Sequence, residues 1–158
     1  MFNRIMRYFK KDVCGCNGTL VHVNGSSKTR NELITLAYTD SMTGCYNRNA
    51  LEEYRNFYDH MGLYVGIVDI DGLKTINDIK GHAAGDILIQ NVANNLKELD
   101  AVVIRLGGDE FLVLSVDNVL FSVKYASFGV QYKPKNMTLR RAMEIADSTM
   151  YYDKKKKR

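Results

Sequence analysis

The chain has 158 residues, enough for one domain with a single hydrophobic core. Apolar residues make up 46% and charged residues 25%, a balance that is typical of soluble globular proteins. The chain contains no apolar run of about 18 residues and no continuous apolar stretch close to residue 1, so we expect neither a membrane span nor a cleaved signal peptide. Three cysteines, including Cys14 and Cys16, do not make a disulfide framework, which favours a cytoplasmic location.

The net charge of +4 comes from the C-terminal end of the sequence. Residues 154–158 are four lysines and one arginine, so the rest of the chain is close to neutral. The sequence therefore predicts a basic tail rather than a basic face, and we expect no nucleic-acid partner. A basic tail is usually solvated, but it can also hold phosphates if it folds back over a site.

Residues 1–28 form an extension that precedes the main domain, which we assign to residues 29–158. Apolar residues recur at helical spacing between basic residues over residues 1–11, which predicts a basic amphipathic helix. Such a helix either lies on a membrane surface, contacts a partner or covers the core of its own domain. Residues 19–23 predict a strand or a short hairpin.

Hydrophobic periodicity predicts alternating helices and strands in the main domain. The predicted helices are residues 29–38, 47–58, 85–99 and 138–154, and the predicted strands are residues 63–70, a hairpin over 101–116, and 121–132. A loop is predicted between residues 72 and 85, Ile87 is expected in the core, and Thr138 is expected to cap the last helix. This order predicts an α/β sandwich in which helices flank a mostly antiparallel central sheet.

A turn at residues 105–111, Arg-Leu-Gly-Gly-Asp-Glu-Phe, lies between two apolar runs and predicts a β-hairpin. Gly107 and Gly108 allow positive φ angles and let a ligand approach the backbone closely. Asp109 and Glu110 would then lie at the tip of a buried hairpin, where adjacent carboxylates are costly without a cation. Taken alone, the turn is equally consistent with a solvated hairpin and with a metal site.

Asp69 lies where the predicted strand 63–70 emerges from the core. If this strand pairs beside the hairpin, Asp69, Asp109 and Glu110 meet at one end of the sheet. Carboxylates that converge in this way suit hard cations. Two such ions can activate an attacking hydroxyl and stabilise a leaving pyrophosphate, so the arrangement predicts nucleotidyl transfer.

The residues that follow this strand are suited to binding a nucleotide. Gly72, Leu73 and Lys74 supply flexible backbone and a cation, which together can cradle phosphates. Asn77 and Asp86 supply an amide and a carboxylate for the edge of a base, and a carboxylate that accepts two N–H donors favours guanine over adenine. Alone, these two residues would more often serve in a turn and a helix cap.

Five segments of the chain, in order, resemble the GGDEF domain, the catalytic domain of diguanylate cyclases. They are residues 36–48 (LAYTDSMTGCYNR), 69–78 (DIDGLKTIND), 81–86 (GHAAGD), 105–111 (RLGGDEF) and 146–158, within a similarity that covers residues 31–158. The resemblance implies a nucleotidyl cyclase and polymerase palm-like fold and the reaction of two GTP to cyclic di-GMP and two pyrophosphate. It also implies that each subunit binds one GTP and that activity requires a homodimer.

The resemblance also implies a role for each candidate residue. The catalytic residues would be Asp69, Lys74, Asp109 and Glu110, and the three acids, together with the Ile70 carbonyl, would bind two Mg²⁺ or Mn²⁺ ions. The substrate-binding residues would be Gly72, Leu73, Lys154 and Arg158 for the phosphates, Asn77 and Asp86 for guanine, and Gly107 and Gly108 for close passage of the nucleotide.

The sequence departs from the family pattern in four places. Glu98 and Ala101 occupy the positions of the family's inhibitory Arg and Asp, so we expect no product inhibition there. The stretch between residues 111 and 127 is short, Lys157 replaces a glycine, and residues 1–28 are too short for a sensory domain. Two alternatives therefore stay open: a weak or inactive nucleotide-binding signalling module, and a related palm-fold cyclase with a different product.

Overall fold

A computed structural model describes residues 20–23, 26–118 and 123–156. The helices are α1 (Arg30–Tyr38), α2 (Arg48–Asp59), α3 (Leu73–Lys80), α4 (His82–Lys97) and α5 (Leu139–Lys156). The strands are β1 (Leu20–Val23), β2 (Ser26–Thr29), β3 (Leu63–Ile70), β4 (Val102–Gly107), β5 (Glu110–Ser115) and β6 (Ala126–Lys133). The helix predicted for residues 1–11, Cys14, Cys16, Lys157 and Arg158 lie outside the described residues. None of the helices in the described ranges is both long and apolar enough to cross a bilayer.

The central sheet has four strands in the order β4-β5-β3-β6, and each neighbouring pair is antiparallel. β3 lies inside the sheet because it pairs with β5 along one side and with β6 along the other. Its sequence LYVGIVDI is apolar almost to its end, as expected for a strand that is covered on both faces. β1 and β2 pair with each other in a separate hairpin. The predicted α/β sandwich with a mostly antiparallel sheet is confirmed.

Helices cover both faces of the sheet and form two apolar clusters. On one face α2 and α5 pack on the sheet, and Tyr58, Ile67 and Leu139 belong to this cluster. On the other face α4 packs through residues such as Val92 against Phe111 of β5. We refer to these surfaces as the α5 face and the α4 face. Because successive strand residues point to opposite faces, the face of each site residue follows from its position in the strand.

Polar side chains determine where two of the helices begin. Asn47 caps α2 by accepting a hydrogen bond from the Ala50 N–H at 3.1 Å. Thr138 caps α5 by accepting one from the Arg141 N–H at 3.3 Å, so the predicted cap of the last helix is confirmed. Each cap satisfies an N–H that has no partner inside its own helix.

A buried lysine joins β6 to the end of α2, far from the acids. Lys133 is fully buried, and its Nζ donates to the carbonyl oxygens of Asp59 at 3.0 Å and Met61 at 2.7 Å. The Asp59 carboxylate accepts a hydrogen bond from the N–H of Leu139, the first residue of α5. Burial lowers the pKa of Lys133, and Asp59 opposes that effect. This group of contacts fixes β6, α2 and α5 relative to one another.

The predicted loop between residues 72 and 85 is wrong, because this region contains α3 and the first turn of α4. Gly72 and Gly81 flank α3, so glycines that indicate a loop in the sequence mark helix ends in the structure. Ile87, expected in the core, is 58% exposed, because the turn of α4 directs Leu88 and Ile89 toward the sheet instead. The last strand begins at Ala126, later than predicted.

A short connection joins β5 to β6. Both strands are antiparallel to β3, so they are parallel to each other and their connection leads from one end of the sheet to the other. Ten residues, 116–125, separate the two strands. Val123 packs in the α4-face cluster, and on the same face Tyr132 remains 49% exposed beside Tyr64.

Candidate active site

Acidic side chains meet at one end of the sheet, where β3 ends and β5 begins. Asp69 of β3 lies directly opposite Glu110 of β5 in the antiparallel ladder, so their side chains are on the same face of the sheet. Ile67, two residues before Asp69, packs in the α5-face cluster, and both carboxylates are therefore on the α5 face. The register confirms that the strand end and the hairpin turn share one end of the sheet.

The turn between β4 and β5 is held in place by hydrogen bonds. Gly107 and Gly108 have φ angles of 152° and 51°, a region in which glycine is strongly favoured. Arg105 Nη2 donates to the Gly108 carbonyl oxygen at 2.7 Å. The Ile70 N–H donates to the Asp109 carbonyl oxygen at 3.1 Å. These bonds fix Asp109 beside the end of β3.

Sequence reasoning missed the residue that supports Arg105 from outside the hairpin. Arg105 Nη1 donates to Asp40 Oδ1 at 3.0 Å, and the same oxygen accepts from the N–H and the hydroxyl of Thr43 at 2.9 and 2.7 Å. Burial opposes ionisation of Asp40, but the hydrogen bonds from Thr43 and Arg105 outweigh it, and the pKa lies below the ordinary value of 3.8. Both residues belong to segments of the resemblance, yet nothing in their spacing predicts that they meet.

Negative charge accumulates around Glu110. Burial raises the pKa of Glu110 above its ordinary value of 4.5, the carboxylates of Asp69, Asp109 and Asp147 raise it further, and Lys154 lowers it. Lys154, near the C-terminal end of α5, forms an ion pair with Asp69 Oδ1. The ammonium group of Lys154 therefore neutralises part of the charge that the acids bring together.

The donor set at this end of the sheet suits a hard cation but does not enclose one. Within the described ranges, no three acidic, histidine or cysteine side chains converge closely enough to hold an ion by themselves. The carboxylates of Asp69 and Asp109 are ligands that Mg²⁺ prefers, while Lys154 contacts Asp69. An ion bound here would compete with Lys154 and would need further oxygen ligands, for which nucleotide phosphates are suited.

The start of α3 lies directly after the acids. Gly72 has a φ angle of 71° and precedes the helix, and Leu73 and Lys74 are its first two residues. The N–H groups of a first helical turn have no partners within the helix and attract anions. Lys74 is exposed, so its ammonium group is available at the same end of α3.

Asn77 of α3 packs directly against α4 at Gly85. A Cβ atom at position 85 would lie 1.9 Å from Asn77 Oδ1, so only glycine permits this approach. Asn77 Oδ1 is buried and lacks a hydrogen-bond partner among the residues that the structure describes. An amide oxygen in this state is costly unless a donor reaches it. Asp86 follows Gly85 and is exposed, which brings an amide and a carboxylate to the junction of α3 and α4.

Two further residues of these segments, Asp71 and Arg158, have different positions. The Asp71 carboxylate oxygens accept hydrogen bonds from the Ser127 hydroxyl at 2.7 and 3.0 Å, and Ser127 lies opposite Asp69 in the β3–β6 ladder, so the Asp71 carboxylate lies beside a side chain of the α5 face. Arg158 lies outside the described residues. Of the two basic residues predicted to bind phosphate near the end of the chain, the structure therefore describes Lys154.

The sequence of this chain is similar to those of known proteins. Residues 37–126 match the family described as "Diguanylate cyclase, GGDEF domain". Diguanylate cyclase DgcP of Escherichia coli (strain K12) is 33% identical over 129 residues, which cover 76% of this chain and 36% of that protein. Cyclic di-GMP phosphodiesterase PdeR of the same strain is 38% identical over 107 residues, which cover 63% of this chain and 16% of that protein. The chain therefore spans about a third or less of the length of these curated relatives.

Solved structures share the fold. A sensory box/GGDEF family protein from Caulobacter crescentus is 28% identical, with a TM-score of 0.63 over 76% of this chain and 99% of that one. Diguanylate cyclase SiaD from Pseudomonas aeruginosa, solved with its activator SiaC, has a TM-score of 0.69 at 20% identity over 98% of this chain and 67% of that one. The predicted palm-like cyclase fold is confirmed. Because the family match covers more than half of its residues, the chain belongs to the GGDEF family.

Proposed function

We propose that this protein is a diguanylate cyclase that converts two GTP into cyclic di-GMP and two pyrophosphate. The observation that carries the proposal is the pairing of Asp69 with Glu110, next to the intact Asp109 and within reach of Lys154. Three acids and a lysine at one sheet end are the groups that phosphoryl chemistry needs. Membership of the GGDEF family and the similarity to a protein named diguanylate cyclase support the same reaction.

The reaction consists of two equivalent displacements. In each, a 3′-hydroxyl oxygen bonds to the α-phosphorus of the other nucleotide, the bond from that phosphorus to the oxygen bridging the β-phosphate breaks, and pyrophosphate leaves. Glu110, directly opposite Asp69 in the ladder, has two carboxylate oxygens, so one can accept the proton of the attacking hydroxyl while the other binds an ion. Lys74 and Lys154 are the cations that bind the charge of the leaving pyrophosphate, and Arg158 is the third.

Divalent ions would complete the site. Asp69, Asp109 and Glu110, with the Ile70 carbonyl, are the residues that would hold two Mg²⁺ or Mn²⁺ ions. When bound, such ions neutralise phosphate charge and lower the pKa of the attacking hydroxyl. The crowding of carboxylates that raises the pKa of Glu110 supports the presence of a cation, because a bound positive charge relieves that repulsion.

The nucleotide is proposed to lie across α3 and the hairpin. The backbone of Gly72 and Leu73 binds phosphate, and the turn glycines Gly107 and Gly108 allow the nucleotide to pass close to β4 and β5. Asn77 and Asp86 bind guanine. The buried, unpartnered oxygen of Asn77 supports this assignment, because the guanine amino group is a donor of the kind that it lacks.

Each subunit holds one GTP in this proposal, so both bonds form only when two sites face each other in a homodimer. A cytoplasmic location is part of the proposal because GTP is the substrate. Contact with a membrane surface or a partner through residues 1–11 is also proposed.

The test is incubation of the purified chain with GTP and Mg²⁺, with mass analysis of the product and sedimentation to measure the dimer. One cyclic di-GMP and two pyrophosphate are expected for every two GTP consumed. Asp109→Ala should abolish turnover, and the exposed acid Asp117, at the other end of β5, supplies the control Asp117→Ala. Absence of pyrophosphate release from a verified dimer would refute the enzyme assignment.

A second candidate is a signalling module that binds GTP or a cyclic dinucleotide without turnover. The open acid group, in which Lys154 rather than a further carboxylate contacts Asp69, favours it. Parallel incubations with GTP, ATP and their mixture, and a binding titration without turnover, distinguish this candidate from a diguanylate cyclase and from a cyclase with another product.

A further inference from the structure

A cleft of about 450 Å³ lies between α2 and α5 and opens beside Glu110. Its apolar floor includes Leu51 of α2, Ile67 of β3 and Met143 of α5. Because Ile67 is on the α5 face, the cleft is on the side of the sheet to which the catalytic acids point. A volume of this size is typical of sites for small organic ligands.

Among the arginines that line the cleft, one forms no ion pair with another described residue. Two arginines of the rim pair with glutamates of their own helices, Arg55 with Glu52 and Arg140 with Glu144. Arg48, the first residue of α2, also lines the cleft, and within the described part of the chain it has no ion-pair partner. The cleft therefore offers an apolar surface with a free guanidinium group at α2 and carboxylates at the catalytic end.

The position of the cleft relative to Lys154 indicates from which direction the attacking nucleotide of the proposed reaction arrives. α5 packs on β6 and β3, and Lys154 reaches Asp69 from α5. Glu110 lies on β5, on the other side of β3. If Lys154 binds the leaving pyrophosphate, an in-line displacement requires the attacking hydroxyl to arrive from the Glu110 side. That is the side on which the cleft opens.

We propose that the cleft receives the guanosine end of the attacking nucleotide, the one held by the partner subunit, and that Arg48 binds the N7 and O6 edge of its base. This inference rests on the proposed function. Arginine recognises that edge of guanine with two hydrogen bonds, whereas adenine presents a donor there. Asn77 and Asp86 are proposed to bind the Watson–Crick edge, so the two subunits bind different edges of one base.

The first experiment removes the Arg48 guanidinium group and the guanine N7 atom, separately and together. Arg48→Met and the wild-type chain are assayed with GTP and with 7-deaza-GTP, which lacks N7 but keeps the Watson–Crick edge. Wild-type turnover should fall about tenfold with 7-deaza-GTP, and Arg48→Met should show a similar loss with GTP and no further loss with the analogue. Lys135→Met, at an exposed residue that does not line the cleft, should behave as the wild type. If 7-deaza-GTP lowers the turnover of Arg48→Met as much as it lowers that of the wild type, the inference is overturned.

The second experiment does not depend on turnover. Guanosine is titrated into the full chain while methyl signals of Met143, in the cleft, and Leu73, beside Asn77, are followed by NMR. The Met143 signal should shift in the wild type and not in Arg48→Met, whereas the Leu73 signal should shift in both. An Arg48-dependent shift in a chain that forms no cyclic di-GMP would support the cleft and refute the proposed function. A cyclase whose Met143 signal never shifts would refute the cleft alone.

Discussion

Arg105 Nη1 lies 3.0 Å from Asp40 Oδ1, in an ion pair whose side chains are only 11% and 24% exposed. The same guanidinium group donates to the carbonyl oxygen of Gly108. A single side chain thus links the connection that precedes α2 to the turn that carries Asp109 and Glu110. The conformation of the acidic turn therefore depends on a residue far away in the sequence.

Asp40→Asn should destabilise the fold by about 1–3 kcal/mol at neutral pH, because a charged hydrogen-bond acceptor is lost. The folded pKa of Asp40 lies below 3.8, so the carboxylate contributes its full stability above that pH. The contribution disappears as the pH falls through the lower, folded value. Urea unfolding at neutral and at acid pH should show a difference between wild type and variant only at neutral pH. A difference that persists unchanged in acid would contradict the assignment, and Asp117→Asn is the exposed control.

Gly85→Ala should weaken GTP binding while the fold survives. The new Cβ would lie 1.9 Å from Asn77 Oδ1, so Asn77 must move out of its place between α3 and α4. We expect about a tenfold loss of affinity, as for one hydrogen bond to a buried group. Titration with a non-cyclising GTP analogue measures it. In an Asn77→Ala background, Gly85→Ala should cause little further loss of affinity for the analogue. If the two losses of affinity add, the change disturbs α4 in general.

Lys154→Met should raise the affinity for a divalent ion and lower the affinity for GTP. Without nucleotide, loss of the ammonium group frees Asp69, so Mn²⁺, followed by its relaxation effect on water, should bind more tightly. GTP should bind more weakly because a phosphate ligand is missing. Lys155→Met is the matched control, since Lys155 lies 4.5 Å from the ring centre of Tyr151 rather than on an acid. Equal Mn²⁺ affinity in wild type and Lys154→Met would contradict competition for Asp69.

Lys133→Met should reduce the free energy of unfolding by about 1–3 kcal/mol, because the carbonyl oxygens of Asp59 and Met61 would lose the donor that the buried lysine supplies. Turnover per folded molecule should stay unchanged, since this group lies at the end of β3 away from Asp69. Denaturant unfolding and an activity assay check the two parts. The exposed Lys135→Met should leave stability unaffected, and a loss of turnover in well-folded Lys133→Met would show that the two ends of the sheet are coupled.

Local signals in the sequence are sufficient for the main elements of the fold. The apolar run of β3 and the glycine turn between β4 and β5 predict strands close to their observed bounds, because a strand buried on both faces leaves a continuous apolar pattern. α3 is missed because it is short and lies between Gly72 and Gly81, where glycine at helix ends is indistinguishable from glycine in a loop.

By itself, the sequence determined which chemical groups follow one another along the chain: an acid at the end of β3, an acidic turn, and a basic last helix. Only the tertiary structure decided that Asp69 and Glu110 share the α5 face, that Lys154 contacts Asp69, and that Arg105 depends on Asp40. The cleft beside Glu110 likewise exists only once α2 and α5 pack on the same face. These relationships join residues that are distant in sequence, and their geometry is set by strand register and helix packing, which no local pattern specifies.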